Sequence, residues 1–137
     1  MASVIPKEVK KEIVDGWVAE PVWKVCLLTN TFTYVTGTHV TYADLLASGA
    51  EVVGTGYTAG GQVLAGRVGA YVDTTNQRID ATNTAWAAAT FANVQHIAVY
   101  ETTGGKIRAI YDLATTYSVT SGTFTIQWNA GGLIKIS

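Results

Sequence analysis

The run Val22–Leu28, with the sequence VWKVCLL, has six apolar residues among seven and decides the fold. A strand with one face in water alternates apolar and polar residues, whereas a nearly continuous apolar run is typical of a strand covered on both faces. We therefore predict a central strand here. Cys26 lies in this run and is the only cysteine, so no intrachain disulfide can form and we expect a small buried thiol.

A short amphipathic helix is predicted upstream of this strand. Apolar residues recur at every fourth position there, at Ile5, Val9, Ile13 and Trp17. Pro6 suits the first position of a helix and Gly16 suits its end. The apolar stripe must pack against something, so Val9, Ile13 and Trp17 are candidate protein–protein contacts. We expect a single domain, in which residues 1–17 form a helical arm and residues 22–137 form a β-rich body.

A second short helix is predicted after the central strand. Thr41 and Asp44 have the spacing of a capping box, in which the N-cap side chain and an acidic side chain three residues later bond to each other's backbone N–H groups. Leu45 and Leu46 follow, and Gly49 suits the end of the helix. We expect one or two helical turns.

The rest of the chain predicts short strands separated by turns. Residues 123–128 alternate apolar and polar side chains, as a half-buried strand does, and residues 106–113 alternate with one exception. Residues 94–100 form a continuous apolar run. Gly104 and Gly105 predict a tight hairpin turn after this run, because glycine tolerates positive φ.

Two further turns complete this pattern. Residues 74–77, flanked by Asp73 and Asp80, have the composition of a hairpin loop. Residues 129–132 predict another tight hairpin turn before a strand at 133–136. The sequence therefore predicts a mainly β fold, an antiparallel β-sandwich or jelly-roll-like domain with a short N-terminal helix and one short internal helix.

Charged residues are scarce outside the N-terminal segment. Nine basic and ten acidic residues give nineteen charges; six lie in the first fifteen residues, which leaves thirteen for the other 122. Uncharged polar side chains must cover most of the exterior, and such surfaces can approach one another without desolvating charge. This composition favours a protein that packs against many copies of itself or of a partner over an ordinary neutral β-domain.

The overall charge and hydropathy argue against two classes of function. A net charge of −1 and a pI near 6.0 provide no basic patch for nucleic acid. No segment approaches the roughly eighteen apolar residues that a membrane span needs, and no long apolar stretch follows the N-terminal basic residues. We expect neither export by a classical signal nor insertion in a membrane.

The sequence contains no familiar catalytic or metal-binding constellation. Only His39 and His96 could act as imidazole bases, and no nucleophile elbow occurs near either, so we expect structural histidines and no enzyme. Two isolated histidines and one cysteine lack metal-ligand spacing. Asp73 and Asp80 fit turn geometry better than a carboxylate pair. We predict no catalytic residue, no metal and no cofactor.

A glycine-rich loop follows Glu51. Residues 54–59 satisfy the relaxed dinucleotide-binding pattern, but further glycines leave no room for the helix that such a site requires. Backbone freedom in such a loop lets one aromatic ring project toward a neighbour. The candidate protein–protein contacts in the loop are therefore Gly54, Gly56, Tyr57, Gly60 and Gly61. The alternative, a wide turn whose tyrosine folds back on its own core, stays open.

Four segments of the chain together resemble a group of small virion proteins of tailed bacteriophages. They are residues 23–30 (WKVCLLTN), 42–45 (YADL), 51–61 (EVVGTGYTAGG) and 122–128 (GTFTIQW). In that group a short N-terminal helix leads into an IKVAL-T strand, a Y-DL turn, an EV-GTGYTAGG loop and a GTFTI-W strand. The likeness extends from about residue 8 to 134. This chain departs from it at Cys26 and in the alanine-rich stretch 86–91.

The resemblance implies a non-enzymatic structural protein of the phage particle. A capsid decoration or cement protein would bind the outer shell in many copies and stabilise it, with the major capsid protein or further copies of itself as partners. Such a protein is made in the bacterial host cytoplasm and resides on the capsid surface, and we expect a homo-oligomer.

Two alternatives stay open. One is a ring component of the tail or of the head-to-tail junction. The other is a carbohydrate-binding β-sandwich module, which requires exposed aromatic platforms at residues such as Trp23, Trp86 and Trp128.

Overall fold

A computed structural model of the protein describes residues 13, 15–19, 22–71, 77–128 and 134–136. Within these residues the chain is mainly β, with two antiparallel sheets and little helix, which confirms the predicted class. The strands are β1 (Trp23–Thr29), β2 (Gln62–Val63), β3 (Val68–Tyr71), β4 (Gln77–Asp80), β5 (Thr84–Glu101), β6 (Ile107–Ile126) and β7 (Ile134–Ile136). Helix α1 spans Tyr42–Ser48.

Strand β1 is an inner strand of the four-stranded sheet, whose order is β2-β1-β5-β6. Trp23, Val25 and Leu27 pack into one hydrophobic core. Cys26 and Leu28 pack into a second core, on the opposite face of the strand, because successive side chains alternate between faces. The prediction of a central strand covered on both faces is confirmed, and Cys26 is buried as expected.

The two cores differ in what covers β1. In the first core, Ile79 of β4 joins Trp86 and Phe91 of β5, so the smaller sheet contributes to this side. In the second core, Leu45 of α1 joins Phe32. Fully burying one large apolar side chain contributes about 1.5–3 kcal/mol, so both layers stabilise the strand between them.

Helix α1 begins and ends where the sequence predicts. The Asp44 carboxylate accepts hydrogen bonds from the N–H groups of Thr41 at 2.9 Å and Val40 at 3.0 Å. These bonds hold the pKa of Asp44 below its ordinary value. Gly49 caps the helix in the left-handed region, with φ 69°. The predicted capping box and glycine stop are both confirmed.

Strands β5 and β6 form one long hairpin, whereas the sequence predicted several shorter strands. They span 18 and 20 residues and are joined through Gly104 and Gly105, so the predicted glycine turn is confirmed. Their pairing register shifts at five places, which marks β-bulges. Four non-glycine residues in these strands have positive φ: Ala88, Asn93, Ala114 and Ser121. Bulges break the alternation of apolar and polar side chains, which is why one long strand has the pattern of separate short ones.

The smaller sheet has the order β3-β4-β7. Strands β3 and β4 pair from Val68 with Asp80 to Tyr71 with Gln77, so the predicted hairpin is confirmed at its strands. Asp73 and residues 74–76 of its turn, like residues 129–132, lie outside the described residues. Strand β7 pairs with β4, so the prediction of a hairpin with the preceding strand is wrong. A short apolar run indicates a strand but not which sheet edge it joins.

The N-terminal segment is helical at Ile13 and at residues 15–18. Gly16 therefore lies within the helix, and the prediction that the helix ends there is wrong. Contacts with the β-rich body account for the extension to residue 18: the Trp17 ring lies 6.3 Å from that of Trp23, and Arg67 donates to the Trp17 carbonyl at 3.0 Å. Residues 1–12 of the predicted arm lie outside the described residues.

Two neighbouring leucines of α1 provide a matched test of the second core. Leu45 is fully buried, whereas Leu46 is 49% exposed. Leu45→Ala should lower the free energy of unfolding by about 2–5 kcal/mol, because it removes apolar contacts and leaves a cavity. Leu46→Ala should change it by less than about 0.5 kcal/mol. Urea denaturation followed by circular dichroism measures both, and equal losses would contradict the described packing of α1.

Candidate functional site

The glycine-rich loop fills a gap along the edge of β1 that faces away from β5. On this edge β2 pairs with Lys24 and Val25, and further along the Val52 N–H donates to the Leu27 carbonyl at 3.0 Å. The Leu27 N–H lies between these contacts, and the Tyr57 hydroxyl accepts its hydrogen bond at 3.0 Å. A buried N–H left unpaired would cost about 1–3 kcal/mol. Tyr57 therefore takes the place of a backbone carbonyl from a neighbouring strand.

The Glu51 carboxylate accepts three hydrogen bonds beside this gap. The Tyr57 hydroxyl and the Gly60 N–H each donate to its Oε1 at 2.7 Å. The Tyr42 hydroxyl, from the first turn of α1, donates to its Oε2 at 2.7 Å. Short bonds of this kind to a charged acceptor are stronger than neutral ones and offset the partial desolvation of the carboxylate. One side chain thus ties the helix and the loop together.

Tyr100 of β5 adds a second tie to the same place. Its hydroxyl donates to the Gly60 carbonyl at 2.6 Å. Its ring stacks on that of Tyr42, with centroids 4.6 Å apart and planes 9° from parallel. We refer to Tyr42, Glu51, Tyr57, Gly60 and Tyr100 as the Glu51 cluster. It joins α1, the loop and β5 around the edge of β1.

The phenols of the Glu51 cluster are held in their neutral form. Burial, reinforced by the Glu51 charge, raises the pKa of Tyr42, Tyr57 and Tyr100 well above the ordinary value. The same two causes raise the pKa of the Cys26 thiol. At neutral pH these tyrosines act as hydrogen-bond donors, and the thiol is a poor nucleophile because its thiolate is disfavoured.

Glycine is required at two positions because the loop backbone packs directly on strands. A Cβ atom at Gly61 would overlap the Val25 carbonyl oxygen, and one at Gly54 would overlap the Thr90 carbonyl oxygen. Gly61 also has φ +79°, in the region that favours glycine. The glycines of the loop therefore serve close backbone packing.

The predicted contact residues of the loop are mostly buried or partly buried. The Tyr57 ring lies 6.0 Å from the rings of both Trp86 and Phe91, so it folds back on the chain's own core and does not project toward a neighbour. Gly60 is buried, and Gly54 and Gly61 are partly buried. Of the five loop residues predicted as contacts, Gly56 alone is exposed.

The outward side of the loop is uncharged. No charged residue occurs between Glu51 and Arg67. The exposed residues of this stretch up to β2 are Val53, Thr55, Gly56, Thr58, Ala59, Gln62 and Val63, and we call them the loop surface. Val53 is 90% exposed. A shallow depression of about 340 Å³ lies beside Thr58 and Val63, with Trp86 in its lining.

The predicted helical contacts are likewise partly used within the chain. Trp17 is partly buried against the first core, and the Arg108 guanidinium lies 4.9 Å from the centroid of its ring. Ile13 is partly buried, and Val9 lies outside the described residues. Trp17 of the apolar stripe thus packs on the β-rich body.

Two of the aromatic platforms named for a carbohydrate-binding module are inaccessible. Trp23 and Trp86 are buried, so neither ring can stack on a ligand. Trp128 is partly buried; its Nε1 donates to the Thr82 carbonyl at 3.1 Å, and its ring lies 6.0 Å from that of Tyr111. These three positions do not form an exposed row.

A second concave feature is an open groove of about 830 Å³ between the threonine-rich segment 30–41 and the β5–β6 hairpin. His39 and His96, which are distant in the sequence, both line it. The Phe32 ring lies 5.0 Å from the His39 ring and 5.3 Å from the His96 ring. We call this feature the histidine groove. No sequence pattern indicated that these histidines would line one groove.

Both histidines of the groove are positioned by neighbouring groups. The Val35 N–H donates to Nδ1 of His39 at 2.9 Å. His96 Nδ1 lies 3.3 Å from the Thr29 carbonyl oxygen, and its Nε2 lies 3.8 Å from the Asp112 carboxylate. Each imidazole has a fixed orientation, which agrees with a structural role and also presents a defined polar surface to the groove.

Across the part of the chain that the structure describes, no three or more His, Cys, Asp or Glu side chains are grouped to hold a metal ion. No helix in that part combines the length and apolar character needed to cross a membrane. Comparisons of the chain with protein-family models, with curated proteins and with solved structures give no match. The function therefore has to be argued from the cluster, the loop surface and the groove.

The raised tyrosine pKa values predict a loss of stability at high pH. An unfolded tyrosine has a pKa of about 10, so the unfolded chain releases these protons first, and stability falls as pH rises above about 10. For Tyr111, whose pKa burial raises to about 12, the loss occurs between about 10 and about 12. Tyr57→Phe should lower stability by about 1–3 kcal/mol at neutral pH and make the alkaline fall less steep.

Tyr117, which is 49% exposed, supplies the control for this experiment. Tyr117→Phe should change the free energy of unfolding at neutral pH by less than about 0.5 kcal/mol. Urea denaturation between pH 7 and 11 gives all three curves. Wild-type stability that stays level above pH 10 would contradict the described burial of the phenols.

Substitutions at two glycines with nearly the same φ distinguish the cost of close packing from the cost of backbone strain. Gly61 has φ +79° and lies against Val25, whereas Gly37 has φ +81° and open space on the side where a Cβ would lie, with no atom within 4 Å. Gly37→Ala should cost about 1–2 kcal/mol from backbone strain alone. Gly61→Ala should cost about 1–3 kcal/mol more, because the chain must shift to admit the methyl group. Denaturation midpoints measure the difference, and equal costs would show that the loop is not closely packed on β1.

Proposed function

We propose that this chain is a non-enzymatic structural protein of a tailed-bacteriophage particle, which decorates the capsid by binding its outer shell in many copies. The four-segment resemblance supports membership of the virion. The observation that carries the proposal is the loop surface, which is exposed, free of charge over the fifteen residues between Glu51 and Arg67, and held from beneath by the Glu51 cluster.

An uncharged surface suits repeated protein contacts. Docking it desolvates hydroxyl, amide and methyl groups and no charged side chain, so little free energy is lost before new contacts form. Val53 and Val63 add exposed apolar area, and the depression beside Thr58 and Val63 offers a place for one partner side chain. Its volume of about 340 Å³ is large enough to admit one side chain.

A fixed surface suits repeated contacts as well. Ordering a mobile loop on binding costs free energy for every residue immobilised, whereas this loop is already held by bonds from Tyr57 and Gly60 to Glu51 and from Tyr100 to Gly60. Modest interfaces then become effective through multiplicity, because a shell presents many equivalent sites. The partner is the major capsid protein, further copies of this chain, or both, in a homo-oligomer on the capsid surface.

The finer architecture that we propose is an antiparallel β-sandwich or jelly-roll-like domain. Its support is the shared core, in which Ile79 of the smaller sheet and Trp86 of the larger sheet belong to one cluster. Facing sheets with a common apolar interior are the arrangement that sandwich domains use.

Purified virions decide the assignment to the capsid. Mass spectrometry and cryo-electron microscopy should find this chain at high copy on the head. A virion without such density, or with the chain confined to a ring at the neck or tail, would refute the decoration role.

Two exposed valines test the loop surface in particular. Heads that lack this protein are incubated with purified chain, and occupancy is measured by sedimentation. Val53→Asp should weaken binding by about tenfold or more, because the interface would then contain an unpaired carboxylate. Val68→Asp, at a residue that is 55% exposed in β3, should change binding by less than about twofold. Wild-type affinity of Val53→Asp would exclude the loop surface as the contact while leaving the virion assignment intact.

A further inference from the structure

The histidine groove is separate from the loop surface and has a chemistry of its own. Its lining residues belong to segment 30–41, to β5 and to the first half of β6 with the residue before it, and none of them is part of the loop surface. The groove lies beside the largest irregularity of the hairpin, where four residues of β6 lie between Asp112 and Tyr117 while one residue of β5 lies between Val94 and His96. A bulge at this place re-aims side chains next to a concave site.

Two planar polar side chains, Gln95 and His96, lie beside one carboxylate in the groove. The Gln95 amide lies 3.4 Å from Oδ1 of Asp112, and His96 Nε2 lies 3.8 Å from its Oδ2. The Ala114 N–H also donates to Oδ1, at 2.8 Å, which anchors the carboxylate on the bulge. These bonds lower the pKa of Asp112, so it is an ionised acceptor at neutral pH. Amide, imidazole and carboxylate groups side by side present the paired donors and acceptors that adjacent hydroxyl groups need.

An accessible aromatic ring stands beside this polar set. Tyr34 lines the groove and is 51% exposed, and its ring centroid lies 6.0 Å from that of His39. Phe32 is buried, and its ring lies next to both imidazoles of the groove. An exposed ring has an apolar face and a polar hydroxyl, so it suits a ligand that itself has an apolar face and polar edges.

The charges of the groove select among ligands of that shape. Lys106 and Asp112 supply one charge of each sign, and the two histidines add polar rings that donate and accept hydrogen bonds. A polyanion would need several cations without a carboxylate among them. A ligand rich in hydroxyl groups and without net charge is the better match.

We propose that the histidine groove binds a neutral saccharide. The pyranose ring stacks on Tyr34, and its hydroxyl groups bond to Gln95, His96 and Asp112. The open form of the groove admits a segment of a longer chain, as a bacterial surface polysaccharide would present. This inference adds a binding activity to the proposed structural role, and it is tested on the purified protein without the particle.

The test starts with the full chain on an array of neutral, carboxylated and sulfated oligosaccharides. The neutral oligosaccharide that gives the strongest signal is then titrated by calorimetry. Tyr34→Ala should weaken its binding by about tenfold, from the loss of stacking. Asp112→Asn, which preserves side-chain shape, and His96→Gln, which keeps a polar side chain, should each weaken it by about fivefold or more. Circular dichroism establishes that each variant is folded.

Tyr117→Ala is the matched control, because this tyrosine is 49% exposed and does not line the groove. Its binding should stay within about twofold of wild type. The proposal is overturned by a preference for carboxylated or sulfated saccharides, by the absence of binding to any neutral saccharide at concentrations up to about 10 mM, or by binding that Tyr34→Ala and His96→Gln leave unchanged.

Discussion

The backbone N–H of Leu27 is the constraint on which much of this molecule depends. It belongs to a strand buried on both faces, so it needs a partner within the protein, and β2 ends before reaching it. The Tyr57 hydroxyl supplies that partner, and Glu51 in turn accepts a hydrogen bond from Tyr57. The path of the glycine-rich loop follows from this requirement, because its central side chain must reach back to the edge of β1. A loop that would otherwise be free is thereby fixed.

The Glu51 side chain joins helix α1 to the glycine-rich loop, and its backbone pairs with β1. Glu51 pairs with Leu28 of β1, accepts from Tyr42 of α1 and accepts from Gly60 of the loop. Removing it would leave three donors without a partner in a partly buried place, and each would lose a charge-assisted bond. The surface that the loop presents outward is therefore a consequence of bonding beneath it. The loop surface is held in place by the hydrogen bonds of the Glu51 cluster.

Local signals in the sequence predicted local structure well. The apolar run 22–28 indicated the central strand, Thr41 and Asp44 indicated the start of α1, and paired glycines indicated the β5–β6 turn.

Long-range pairing was not predictable in the same way. Bulges near Asn93 and Ala114 hid the length of the hairpin, and the partner of β7 depends on which sheet edge is available. The placement of His39 and His96 in one groove depends on the path of segment 30–41 across the hairpin, which no single stretch encodes. The role of Glu51 was equally invisible, because its donors lie six or more residues away on either side.

The motifs behind the phage resemblance acquire a physical meaning from this arrangement. The tyrosine of YADL and the glutamate, tyrosine and one glycine of EVVGTGYTAGG converge in the Glu51 cluster, although they lie in separate segments. Those residues form hydrogen bonds within the chain, so a shared motif here indicates a shared loop conformation. In the proposed role, attachment depends on the residues between them, such as Val53 and Thr58, which are exposed and take part in none of the cluster's bonds described above. Proteins that share the motif could thus hold the same loop in the same shape and still dock on different partners, because the residues that fix the loop are not those that it presents.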